Sequence, residues 1–368
     1  MKIIIDKSKL LKPLSHIQSV VERKNTIPIL SNVIISANDD KLSLSATDMD
    51  IDILEKINCN VINPGSVTVT AHILYDIVRK LTDGSEVEIE YNDGTASLTS
   101  NKSKFQLPVL PVEDYPTLSK GDFPISFKLT VGELSRLIDK TKFAISMEET
   151  RYYLNGIFIH KHEKTLVAVA TDGHRLARTT IPLPSGGEII KGAIIPRKAI
   201  FEIRKLIEDY AEDSDLSISL SDSRIKIFAG ETTITSKLID GNFPDYEKVI
   251  PVDNSNVLIL DCQSLTESVD RVSTIFSDKS KSVRMTLSSN KLTLEANSPD
   301  TGSASEEIEI NYSSDEIGIG FNARYLLDVT SQIGTGNIKI ALKDSGSPAL
   351  ISVPEDPESL FVLMPMRV

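Results

Sequence analysis

The chain has 368 residues, 40% of them apolar and 25% charged, with a formal net charge of −12. That length supports two or three domains with sizeable cores, and no apolar run approaches the roughly 18 residues of a membrane helix. The acidic balance excludes a protein that simply coats nucleic acid with positive charge, though not one that gathers its cations on a single face.

The N-terminus, Met1-Lys2-Ile3-Ile4-Ile5, reads as a first strand and not as a signal peptide. Ile3 to Asp6 leads into a helix in which Leu10, Leu14, Ile17 and Val21 form one buried stripe. Phe127 to Thr130 leads in the same way into Glu133 to Ile138, and Leu258 to Asp261 into Leu265 to Val269. In each case an Asp or Thr ends the strand and can cap the helix. The device recurs in mid-third. Val67 to Thr70 precedes a helix over 71–81, Ala193 to Ile195 precedes one over 196–206, and Ile317 to Phe321 precedes one over 322–333. Alternating strands follow each, as in Val87-Glu88-Ile89-Glu90 and Leu216-Ser217-Ile218-Ser219-Leu220. Cys59 and Cys262 form no CxxC pattern and read as reduced thiols of a cytoplasmic protein.

The passage Leu166-Val167-Ala168-Val169-Ala170-Thr171-Asp172 has a diluted copy, Leu42-Ser43-Leu44-Ser45-Ala46-Thr47-Asp48, about 124 residues earlier. A fainter one, Leu292-Thr293-Leu294-Glu295-Ala296-Asn297, lies about 126 residues later. A period that long means repeated domains, here 1–122, 123–252 and 253–368, each with two strand-helix-strands units. Lys120-Gly121-Asp122 and the stretch from Pro251 to Asn256 read as linkers. Over the six predicted helices, the first taken as Lys7 to Lys24, the charge sums to about +7, leaving about −19 for strands and loops. Helices on one side and an acidic sheet on the other suggest a surface directed at a nucleic-acid backbone.

Catalytic patterns are missing. No Gly-rich phosphate loop follows a strand, and no GxSxG or HExxH occurs. His160 and His162 lie at a hairpin tip without a third ligand, so no metal and no cofactor are expected. Glu148-Glu149 reads as a solvated loop, and the Asp-Gly turn explains Asp172 structurally. The C-terminal run from Phe361 to Val368 is apolar and carries two methionines, which suits an adaptable binding surface.

Together, Asn25 to Asn32, Arg151 to Gly156, Ala170 to Ala177, Phe243-Pro244-Asp245-Tyr246 and Met364-Pro365-Met366-Arg367-Val368 resemble the bacterial DNA sliding clamp, the β subunit of DNA polymerase III, over the whole chain and in order. The resemblance implies an α+β clamp fold of three similar domains, each of two β-α-β-β-β units. It implies a head-to-tail homodimer closed into a ring, with helices lining the hole and sheets outside. Lys102, Lys104 and Phe105 would face Ile275, Phe276, Glu306 and Glu307 across the subunit boundary. Lys24, Glu148, Tyr152 and Tyr153 stand at positions of DNA contact, Glu148 in place of a neutral residue.

A partner pocket for Gln- and Leu-rich linear motifs is implied at Leu154, Thr171, Gly173, His174, Arg175, Leu176, Pro244, Lys248, Val249, Gly346, Pro348, Val362, Leu363, Met364, Pro365, Met366 and Arg367. In that pocket His174 and Arg175 form a rim, and Leu176 with the methionines a floor. Expected partners are duplex DNA without sequence preference, the polymerase α subunit, the clamp loader, and other polymerases and repair proteins. The chain is then a processivity factor and not an enzyme. Two other readings stand beside it: a hydrolase using Asp172 and His174, and a soluble interaction scaffold that never encircles DNA.

Overall fold

A computed structural model of the chain describes residues 1–116, 121–276 and 282–367. Lys120 of the first expected linker and the terminal Val368 lie outside them. Each third runs twice through one order: strand, helix, three strands. The first third holds β1 (Lys2–Asp6), α1 (Lys7–Val20), β2 (Asn32–Asn38), β3 (Lys41–Thr47) and β4 (Ile51–Asn58). After an added short strand β5 (Asn60–Asn63) come β6 (Gly65–Thr70), α2 (Ala71–Lys80), β7 (Glu86–Asn92), β8 (Thr95–Ser100) and β9 (Ser103–Pro108). The second holds β10 (Ile125–Thr130), α3 (Val131–Asp139), β11 (Gly156–His162), β12 (Thr165–Thr171) and β13 (Arg175–Pro182). Then follow β14 (Ala193–Pro196), α4 (Arg197–Ile207), β15 (Asp215–Leu220), β16 (Arg224–Ala229) and β17 (Thr232–Lys237). The last holds β18 (Asn256–Asp261), α5 (Cys262–Ser273), β19 (Ser282–Ser288), β20 (Lys291–Ser298) and β21 (Gly302–Glu309). It closes with β22 (Ile317–Asn322), α6 (Ala323–Ile333), β23 (Asn337–Leu342), β24 (Ala349–Val353) and β25 (Asp356–Leu363).

Local chemistry sets the helix starts. The carboxylates of Asp6 and Asp261 and the amide oxygen of Asn322 accept from backbone N–H groups of the first turns of α1, α5 and α6. Thr130 and Glu133 exchange bonds across the start of α3, a reciprocal cap that satisfies two N–H groups at once. Leu10, Leu14 and Ile17 are fully buried, and Val21 nearly so. The first helix nevertheless ends at Val20, so Glu22, Arg23 and Lys24 leave its face. The expected run to Lys24 overstates that helix.

By contacts the chain forms two compact units, residues 1–134, 184–189 and 198–238 in one and 135–183, 190–197 and 239–368 in the other. The first unit contains a five-stranded sheet, β5-β1-β7-β8-β9, and an eight-stranded one, β10-β15-β16-β17-β4-β3-β2-β6. The second contains β14-β11-β12-β13-β25-β24-β23-β18 and a four-stranded sheet, β21-β20-β19-β22. Both large sheets join strands of different thirds, through β17 with β4 and through β13 with β25. Strand β3 alternates between core and surface, whereas β12 is buried on both faces. Helices cannot account for the second face, so something else covers it.

Candidate functional site

The cover is a cluster of Val167, Val169, Leu176, Tyr246 and Val362, with Phe243, Ile250, Leu350 and Leu360 packed against it. Beside this cluster opens a cavity of about 270 Å³ within the second unit. Its floor is apolar, from Leu154, Leu176, Pro244, Val249, Val362 and Met364, and its polar edge carries Arg151, Thr171, Arg175 and Asp245. An apolar floor with few placed polar groups suits a side chain or short segment of a partner.

One turn builds the rim. The Asp172 Oδ1 accepts from the backbone N–H groups of His174 at 2.9 Å and Arg175 at 3.0 Å. The Thr171 hydroxyl donates to the carbonyl of Arg175 and accepts from Gly173 N–H. Gly173 sits at φ +87°, where a Cβ would also collide with the Arg151 guanidinium. Arg151 donates to the carbonyl of Asp172 and to Glu148, which holds the Glu148 carboxyl below its usual range. Arg175 donates to Asp172 and Asp328, with its guanidinium 4.3 Å from the Tyr325 ring centre. It is a fixed post and not a free cation.

Aromatic packing sets the opposite wall. Phe243 stacks on Phe158 at 4.9 Å, Phe158 stacks on His160, and His160 Nε2 lies 2.9 Å from the Tyr246 hydroxyl. The Lys161 carbonyl can only accept, so Nδ1–H donates to it and Nε2 accepts a hydrogen bond from the Tyr246 hydroxyl. Burial lowers the His160 pKa and raises that of Tyr246, in keeping with both groups being neutral.

Of the residues expected at the pocket, Leu154, Thr171, Gly173, Arg175, Leu176, Pro244, Val249, Val362 and Met364 line this cavity. Eight others do not. Strand alternation turns Leu363 into the core, away from the face of Val362. Met366 donates its N–H to the Gly320 carbonyl, and of the two methionines Met364 lines the cavity. His174 is exposed and meets Met364 through its carbonyl, and Lys248 pairs with Asp245 at 2.8 Å. Gly346 belongs to a turn held by Asp344, Pro348 accepts from Asn254 through its carbonyl, and Pro365 and Arg367 lie outside the lining. Arg151, Asp245 and Tyr246 were not among the expected residues. All three stand in runs that carry the resemblance, Arg151 in Arg151 to Gly156 and the other two in Phe243-Pro244-Asp245-Tyr246.

Tyr152 and Tyr153 lie on a 3-10 turn, Glu149–Leu154. Tyr152 is 53% exposed, while Tyr153 lines the cavity. Glu148 and Lys24 are exposed, Lys24 in the segment after α1. Several helix cations are engaged inside their own unit. Lys7 is buried on the Leu81 carbonyl and Asp83, Lys198 binds Asp48 and the Val20 carbonyl, and Lys205 binds the Ser15 carbonyl. The summed helix charge therefore overstates the cations free for a partner.

Four of the seven expected subunit contacts fall on strands at sheet edges. Lys104 and Phe105 belong to β9, Lys102 to the turn before it, and Glu306 and Glu307 to β21; each strand ends its sheet. Phe105 also lines a cavity of about 340 Å³ with Ile73, Ile77 and Leu81. Glu306 takes Arg271 and Ser268, and Ile275 and Phe276 follow the end of α5, half-buried. Among the described residues no three His, Cys, Asp or Glu side chains gather as a metal site.

Sequence models of the DNA polymerase III beta subunit match in succession: N-terminal domain over residues 1–119, central domain over 128–245, C-terminal domain over 247–367. A beta sliding clamp of Caulobacter vibrioides is 46% identical over 374 residues, with 100% of each chain covered, and one of Pseudomonas aeruginosa is 37% identical over 369. A crystal structure of a sliding clamp from Bartonella birtlesii bound to griselimycin is similar at a TM-score of 0.98 and 45% identity, again over 100% of both chains. The architecture is that of a DNA clamp, three similar domains of two β-α-β-β-β units each. The chain belongs to the DNA polymerase III beta subunit family, whose members are processivity factors of DNA replication and not enzymes.

Proposed function

We propose that two copies of this chain close head to tail into a ring around duplex DNA, helices inward, and that the cavity at Leu176 and Val362 receives linear motifs of its partners. Those partners are the replicative polymerase, the clamp loader, and other polymerases and repair proteins. The apolar floor under a fixed Arg175 rim is the observation that carries the partner reading. The unpaired edges of β9 and β21 support the ring, because pairing them between copies hides two edges open to wrong association. Residues Lys102, Lys104 and Phe105 would meet Ile275, Phe276, Glu306 and Glu307 there. DNA would be met by Lys24, Glu148, Tyr152 and Tyr153, the last of which also lines the cavity. We take the domains as 1–122, 123–252 and 253–368, and the working compartment as the cytoplasm, where replication takes place. No helix among the described residues is long and apolar enough to cross a membrane.

Tethering acts through effective concentration, since a polymerase that releases DNA stays beside it and rebinds. The test is topological. Labelled protein is loaded onto nicked circular DNA with a clamp loader and ATP, isolated, and half the sample is cut once with a restriction enzyme. Loss from the linear DNA alone supports the ring; equal retention on both overturns it in favour of a scaffold bound at a site.

A further inference from the structure

The frame that holds the cavity is built twice. Thr47-Asp48-Met49-Asp50-Ile51 makes the same bonds as Thr171-Asp172-Gly173-His174-Arg175. The Asp48 Oδ1 accepts from the N–H groups of Asp50 and Ile51, and the Thr47 hydroxyl donates to the Ile51 carbonyl and accepts from Met49. Met49 adopts φ +79° where Gly173 has +87°. The strands that follow are in the same register. Leu176 stands opposite Val362 across β13 and β25, and Asp52 stands opposite Thr235 across β4 and β17. A tyrosine stands by each frame with different contacts: Tyr246 packs in the apolar cluster and bonds His160, whereas Tyr115 accepts from Thr47 N–H and donates to the Asn32 carbonyl.

What fills the two frames differs at the same places. The cluster positions Val167, Val169, Leu176 and Val362 become Ser43, Ser45, Asp52 and Thr235. Asp52 is 8% exposed, and among the described residues its Oδ1 has no hydrogen-bond partner. The remaining apolar cluster of that frame, Ile29, Leu30 and Tyr115, is already closed on itself.

We propose that Asp52, with Ser43, Ser45 and Thr235, is the determinant that denies apolar linear motifs a second seat on this chain. A leucine docked over Asp52 would desolvate further a buried carboxylate, one oxygen of which already lacks a partner, a penalty that Leu176 does not impose. Burial has already moved the Asp52 pKa up to about 6, in keeping with that scarcity of partners. Specificity between two like frames then comes from one buried carboxylate and three hydroxyls, and not from the shape of the fold.

The inference rests on the cavity of the second unit being the motif site, and the experiment separates the two. The probe is a fluorescein-labelled peptide from the tail of the replicative polymerase, titrated by anisotropy. Leu176→Asp should weaken binding at least about a hundredfold by placing a carboxylate on the floor; unchanged binding overturns the cavity reading itself. Into that background go Ser43→Val, Ser45→Val, Asp52→Leu and Thr235→Val. Saturable binding regained at least about tenfold over the Leu176→Asp chain supports the inference, and a folded variant that binds no better than that chain overturns it. If the five-substitution chain does not fold, Asp52→Leu with Thr235→Val alone is placed in the Leu176→Asp background and read by NMR. Peptide-induced shifts around Tyr115 support the proposal, and their absence at millimolar peptide overturns it.

Discussion

Asp52 carries a consequence for stability that is separate from recognition. Its folded pKa near 6 lies above the ordinary carboxylate value because burial disfavours the charge more than Thr47, Arg224 and Lys237 support it. The folded state therefore holds a proton that the unfolded state has lost between about pH 4 and pH 6. Stability from this group is complete below the unfolded value and is lost as pH rises through 6. Asp52→Asn should thus be close to neutral at pH 4 and stabilising by about 1–3 kcal/mol at pH 7. Urea unfolding at the two pH values measures it, and an equal effect at both would show that charge is not the cause. At this scale the sequence was partly readable. The threefold echo points to Thr171 and Asp172, yet it does not reveal that Leu363 faces inward while Val362 faces the cavity, because the run of five apolar residues from Leu360 to Met364 has no alternation to read.

Among the elements, strands and helices followed from periodicity and capping, and six helices start where an Asp, Thr, Asn or strand end predicts within a residue or two. The 3-10 turn carrying Tyr152, Tyr153 and Leu154 was less legible. Its apolar positions have no stable period, and tertiary packing decides which ring turns inward. The edges β9 and β21 carry the element-scale prediction. Phe105→Asp places a charge in the cavity lined by Ile73 and Ile77 and on the edge proposed to meet a second copy. Sedimentation should find the parent as a dimer and the variant as a monomer at micromolar concentration. Its thermal midpoint should fall only a few degrees, because the core of the five-stranded sheet is untouched. A variant that remains a dimer would remove β9 from the interface.

For the molecule as a whole, the net charge of −12 and the engagement of Lys7, Lys198 and Lys205 within the protein weaken a purely ionic hold on phosphate. A protein held by ionic contacts loses roughly 10³–10⁵ in affinity between 50 and 200 mM salt when it neutralises 6–10 phosphates. A topological link has no such dependence. Retention on intact circular DNA should change less than about twofold over that range, while loss from linear DNA should quicken with salt. A steep fall on circles would mean that ions, not closure, hold the protein in place.

The joining of β17 to β4 and of β13 to β25 has a further consequence, for how the chain can be divided. Its repeats are modular as inheritance, but they are not modular as folding units. The central third shares its strands between two eight-stranded sheets, so cutting the chain near 122 and 252 would strand its halves without their hydrogen-bonding neighbours. Each fragment would present raw sheet edges from what had been the middle of a sheet, the setting in which chains pair promiscuously and precipitate. Copying this architecture by duplication is easy, and taking a piece back out is not. A lineage that once joined these repeats would find it hard to return to a lone, freely folding third.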